Sequence, residues 1–241
     1  GQRVRYSQIV NDELVLVTAS EQRLTDYRYD LTNGSLVRTR EVHLPSEDLC
    51  FAMRGSEVLV GAIEGQRIRV GEILGDDRFV HRATIPGQWY RCSMVATDEG
   101  FLVVATEDEG GVIRDANCSA TIHGFDEEGN LHQPPVRRRS MNGCFVEAVA
   151  HDGGVTLAWN SYWFGSVRSL SLSARGVPLN NPHTVMTIYF GYMDHLYLRD
   201  GSPWMTVWLG SEWREARLCS PNDHDGRIPI VEPGRPVRFR H

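Results

Sequence analysis

Four carboxylates, Glu47, Asp48, Glu147 and Asp194, stand at or within short apolar runs rather than in polar tracts. A pair of such groups at a suitable separation is what glycoside hydrolysis requires, one as acid and one as base or nucleophile. Three cysteines, Cys50, Cys92 and Cys144, each open an apolar run, and a ring of thiolates at one level is the donor set for zinc or copper(I). The competing reading is that they are small buried residues, the usual fate of free cysteine. Cys118 offers a third possibility, a disulfide with Cys92 in an oxidising compartment.

A larger group is aromatic. Trp89, Tyr90, Tyr162, Trp163, Phe164, Tyr189, Tyr192 and Trp213 fall in stretches without strand alternation, where a ring is available to stack on a sugar or anchor a protein. Trp159 and Trp208 instead end apolar runs and are expected to pack inside. The loop Asn222–Gly226 collects Asp223 and Asp225 in a weak calcium-like pattern, with Pro221 in the place of the usual first ligand. Ca2+ is therefore the one cofactor the sequence raises.

The elements that would position these groups repeat. Apolar runs beginning near Leu14, Val58, Phe101, Val155 and Trp204 follow one another at intervals of 44, 43, 54 and 49 residues. Each is preceded by a tight polar turn and followed, after a loop and a further strand-like run, by a second turn. The second turns end at Gly34, Asp77, Gly129, Gly176 and Gly226, and glycine supplies the positive φ that such turns need. The connections His43-Leu44-Pro45 and Thr84-Ile85-Pro86 lead in the same way to Cys50 and Cys92.

Five units of two hairpins each, about 40 to 50 residues long, are the mark of radially repeated four-stranded sheets. The chain resembles a five-bladed β-propeller, all-β, with approximate repeats 1–45, 46–87, 88–141, 142–187 and 188–241 in a single domain. The resemblance is one of fold. The Trp-Asp dipeptide, the kelch diglycine pattern and the Ser-x-Asp-x-Gly-x-Thr-Trp box are all absent, so no family's residues carry over. The ring closes either blade by blade or through a terminal strand that crosses over.

The resemblance implies two unlike surfaces. First strands line the channel, so the connections between blades and those between second and third strands share one face, which gathers the aromatics. The hairpin turns gather Asp and Glu on the other, either because turns favour them or as a surface for a cation or basic partner. The carboxylates would then converge on the channel mouth. Arg137–Arg139 is expected on an outer strand, where charge discourages sheet pairing.

Composition narrows the partners. The 241 residues carry 31 acidic against 25 basic side chains, a net charge of −6, and every basic residue is arginine. Polyanion affinity rests on neutralised phosphates, so nucleic acid is not expected. No run reaches the ~18 apolar residues of a membrane span, which argues against insertion. The chain starts at Gly1, as a processed or trimmed product would, and a secreted or periplasmic location is expected over a cytoplasmic one. No Gly-x-Ser-x-Gly elbow is present. The resulting expectation is a non-catalytic module binding a carbohydrate or a protein through its aromatic face. The alternatives are a glycoside hydrolase and a structural scaffold.

Overall fold

The computed structural model describes residues 3–20, 23–44, 46, 48–55, 57–74, 78–109, 118–138, 143–152, 154–161, 166–187, 192–209 and 212–218. All regular structure in them is β. The first sheet is β1 (Arg3–Val10), β2 (Glu13–Ser20), β3 (Arg23–Asp30) and β4 (Leu36–His43), and the second is β5 (Leu49–Arg54), β6 (Glu57–Ile63), β7 (Arg67–Ile73) and β8 (Phe79–Pro86). The third is β9 (Arg91–Thr97), β10 (Gly100–Asp108), β11 (Cys118–Phe125) and β12 (Val136–Arg138). The fourth is β13 (Val146–His151), β14 (Gly154–Ser161), β15 (Ser166–Leu172) and β16 (His183–Thr187). β17 (Tyr192–Arg199), β18 (Ser202–Trp208) and β19 (Trp213–Arg217) are the strands described in the fifth.

Within every sheet the strands pair antiparallel in chain order, so each sheet is a meander and the two-hairpin period of the sequence is the period of the sheets. The protein is a five-bladed β-propeller. Turn chemistry sets the local geometry: Gly34, Gly129 and Gly176 close the third-to-fourth-strand turns at φ of 71°, 90° and 86°, where a Cβ is disfavoured. Arg137 and Arg138 lie on the short outer strand β12, as their charge suggested, and Arg139 lies outside the described residues.

Burial explains the radial order. The second strands of blades two to four are nearly continuous buried hydrophobic runs, because both faces of a blade are covered by its neighbours, whereas β18 of blade five is buried only at alternate positions; Val58, Leu59, Val60 and Ala62 of β6 are fully buried. Outer strands such as β4 and β8 show burial only at alternate positions near their ends. The described core falls into four clusters, each shared by consecutive blades. One joins Val15, Val17 and Leu24 to Phe51, Val58 and Val60, and the next joins Leu59, Ile68 and Val70 to Phe101 and Val103. The third joins Leu102, Val104 and Ile122 to Val155 and Leu157; the fourth joins Ala158 and Val167 to Leu196, Met205 and Val207.

Ion pairs reinforce the same seams at the hairpin-turn face. Arg40, 1% exposed, donates from Nε at 2.8 Å to the fully buried carboxylate of Asp26 in its own blade. It also donates from Nη1 to Glu57 and to the Ile73 carbonyl of the next blade, each at 2.9 Å. Arg54 pairs with the buried Glu72 and donates to the Glu127 carbonyl of blade three, and Arg175 of blade four pairs with Glu99 of blade three. A buried guanidinium is tolerated there because every charge has a partner.

Candidate functional site at the channel mouth

First strands from all five blades line a central cavity of about 760 Å³, with Tyr6, Phe51, Met94, Ala148 and Leu196 among the walls. At the loop face, where blades two, three and four meet, it adjoins a smaller cavity of about 340 Å³ whose walls include Asp48, Arg91, Ser93, Thr106, Phe145 and Glu147. A volume of that order accommodates a small ligand or a sugar unit.

Cysteines frame this corner. Cys50 and Cys92, on the first strands β5 and β9, are joined in a disulfide with a Cα–Cα separation of 5.6 Å, and Cys118 is joined to Cys144 with a separation of 5.2 Å. Two expectations are corrected here. Cys50, Cys92 and Cys144 do not form a thiolate ring, because disulfide sulfurs have no thiolate to offer a soft metal. Cys118 pairs with Cys144 rather than Cys92, because β11 begins beside the segment leading into β13 while β5 and β9 run side by side along the channel. Both bridges cross a blade boundary. Gly61 makes room for the first: a Cβ there would lie 2.6 Å from the Cys50 sulfur.

Arg91 opens β9 opposite Thr106 of β10 and sets the character of the cavity. Its guanidinium carbon lies 3.9 Å from the centroid of the Phe145 ring and 5.2 Å from that of Tyr90, so two aromatic rings fix the cation. Phe145 precedes β13 and is 46% exposed. Glu147, on β13, faces His195 of blade five, with Oε2 3.7 Å from Nδ1. The Glu147 carboxylate holds the imidazole pKa above its usual 6.5, against the opposing effect of partial burial.

Of the four carboxylates expected at the mouth, Asp48 and Glu147 line the same cavity. Asp194 sits at the register shift between Met193 and His195 and is exposed, away from the lining. Glu47 lies outside the described residues. Arg91 and Phe145 are not among the residues expected from sequence, although each adjoins a cysteine, Cys92 and Cys144, expected to mark one level of the channel.

The aromatic residues divide. Trp89 turns inward, its Nε1 donating to the Ile85 carbonyl at 3.1 Å and its ring meeting His123 edge-on, so it is not free for a ligand. Tyr90 is half-buried against Arg91. Tyr192, Trp208 and Trp213 lie in register across β17, β18 and β19. Their rings form a row, Tyr192 to Trp213 at 5.9 Å and Trp208 to Trp213 at 5.3 Å, with Tyr192 46% exposed. Trp159 is buried between blades, whereas Trp208 is only half-buried. Tyr162, Trp163, Phe164 and Tyr189 lie outside the described residues.

Acidic residues on the opposite face have local employment. Asp30 accepts from the backbone N–H of Thr32 at 2.7 Å and from the Asn33 amide at 3.0 Å, and Asp126 does the same for Asn130. These hydrogen bonds, led by the Thr32 and Asn130 side chains, hold both carboxyl pKa values below the ordinary range. Asp223 and Asp225, the calcium candidates, lie outside the described residues. Among the described residues no group of three or more His, Cys, Asp or Glu side chains is placed to hold a metal ion.

Comparison with known structures agrees with the propeller fold. No protein-family model and no curated protein sequence matches the chain. A luciferin-regenerating enzyme is similar at a TM-score of 0.53 and 11% identity over 94% of this chain and 71% of its own. The calcium-binding protein regucalcin from Agrobacterium tumefaciens is similar at 0.54 and 14% identity, over 90% and 68% respectively. The GH43 protein BlXynB from Bacillus licheniformis is similar at 0.51 and 12%, over 80% of this chain and 41% of its own. At such identities the likeness is one of fold.

Proposed function

We propose that the protein is a non-catalytic carbohydrate-recognition propeller that takes a sugar unit at the channel mouth. One observation carries the reading: Phe145 projects beside a polar cavity, with Arg91 against it and Asp48, Glu147, Ser93 and Thr106 in the walls. An exposed ring face with a few hydroxyl-binding side chains is the composition that sugar recognition needs, since the apolar face of a pyranose stacks while its hydroxyls seek acceptors and donors. The Tyr192–Trp208–Trp213 row on the same face offers a second stacking surface for a longer chain. Two disulfides suit an oxidising compartment, and we place the protein outside the cytoplasm.

A second reading, a glycoside hydrolase, is favoured by the shared cavity of Asp48 and Glu147. Electrophoresis through gels containing individual polysaccharides tests the first. Retardation by at least one polysaccharide, relieved in Phe145→Ala, is the expected result; migration unaffected by every polysaccharide contradicts it.

A further inference from the structure

Among the described residues Arg91 is the only arginine in the walls of the small cavity, and it has no carboxylate within ion-pair distance, although Asp48 and Glu147 share those walls. That sets it apart from the arginines of the blade seams. Arg40, Arg54, Arg82 and Arg175 all hold carboxylates, as do Arg137 and Arg199 on the outer and hairpin surfaces. The Arg91 Nε is buried without a hydrogen-bond partner. Phe145 and Tyr90 hold the group in place through their rings, and the Phe145 ring offers its N–H donors no acceptor.

A guanidinium restrained by rings, with in-plane donors unspent, is preorganised for a planar two-oxygen acceptor. The neighbouring acids leave room for one. Glu147 is partly balanced by His195, and Asp48 is exposed to solvent, where its charge is screened. We propose that the sugar recognised at the channel mouth is acidic, a uronate whose carboxylate is taken by Arg91, and that Asp48 and Glu147 accept hydrogen bonds from its hydroxyls. The inference rests on the carbohydrate reading above and adds Arg91 as the residue that selects for charge.

The experiment uses oligogalacturonate, oligoglucuronate and oligomannuronate, each beside its fully methyl-esterified form, in calorimetric titration of the whole protein. At least one acid binds about tenfold or more tighter than its own ester, as expected for a charge-assisted bidentate contact. Arg91→Gln removes that preference by weakening the acid and leaving the ester within about twofold, whereas Arg91→Lys retains part of it. Thermal melting of each variant shows that it is folded. Acid and ester binding equally, or Arg91→Gln weakening both alike, overturns the uronate proposal while the carbohydrate reading stands. Absence of binding to every acid and ester, and to neutral oligosaccharides run beside them, overturns both.

Discussion

His123 makes the propeller acid-sensitive. It lies on β11 at 7% exposure, its ring 6.2 Å from Phe125 in a stacked arrangement and 5.9 Å from Trp89 edge-on, with Nε2 buried and unpartnered. Burial brings its pKa from 6.5 down to about 4. The unfolded chain takes up the proton near pH 6.5 and the folded chain only near 4. Stability is therefore undiminished above 6.5, falls as the pH drops, and reaches its full loss below 4. A shift of that size corresponds to about 3 kcal/mol in all, with about 2 kcal/mol already lost at pH 5. Urea unfolding at pH 7.5 and pH 5.0, followed by circular dichroism, measures the drop. In His123→Phe, which keeps an aromatic ring but cannot charge, the drop shrinks by about 2 kcal/mol whatever the variant's own stability at pH 7.5. An identical pH dependence in the two proteins shows that His123 is not the source of the drop.

Three other outcomes are expected. Reduction of the disulfides, which span 42 and 26 residues, removes about 3 to 4 kcal/mol apiece on the chain-entropy account and lowers the urea midpoint; an unchanged midpoint contradicts it. Replacement of Asp26 by Asn leaves the buried guanidinium of Arg40 without its closest carboxylate and costs about 3 to 5 kcal/mol in the same assay, whereas Arg23→Gln at an exposed pair costs less than about 1 kcal/mol. The His195 contribution has the opposite sign to that of His123: its raised pKa adds stability that is fully present below 6.5 and is lost as pH rises through the folded value. Nuclear magnetic resonance titration shows the His195 midpoint falling towards 6.5 in Glu147→Gln, and a midpoint that does not move contradicts the pairing.

The blades were legible because their signals are local. Turn residues such as Asn33-Gly34 and Glu128-Gly129, and the apolar second strands, repeat within each unit and require no knowledge of the rest. What joins one blade to the next was not legible. Glu99 and Arg175 are 76 residues apart, and in sequence Glu99 is simply an acidic residue in a turn; the arginine that pairs with it belongs to another repeat. Cys50 and Cys92 fall on the first strands β5 and β9 as expected, whereas Cys144 precedes β13, and pairing depends on which segments lie side by side across blade boundaries. Trp89 sat in a connection and was expected to face outward, whereas its indole N–H turns back to Ile85 and its ring packs inward. Arg91 and Phe145 matter through their mutual contact across blades three and four, which strand spacing within either repeat cannot reveal.

Binding without turnover is measured by following tryptophan fluorescence during titration with neutral and acidic oligosaccharides while reducing ends released into solution are assayed in the same samples. A non-catalytic sugar site gives a saturable change with at least one sugar, lost in Phe145→Ala, and no released product. Product formation that disappears in Glu147→Gln contradicts it in favour of a hydrolase, and the absence of a saturable response to every sugar contradicts carbohydrate recognition at this site.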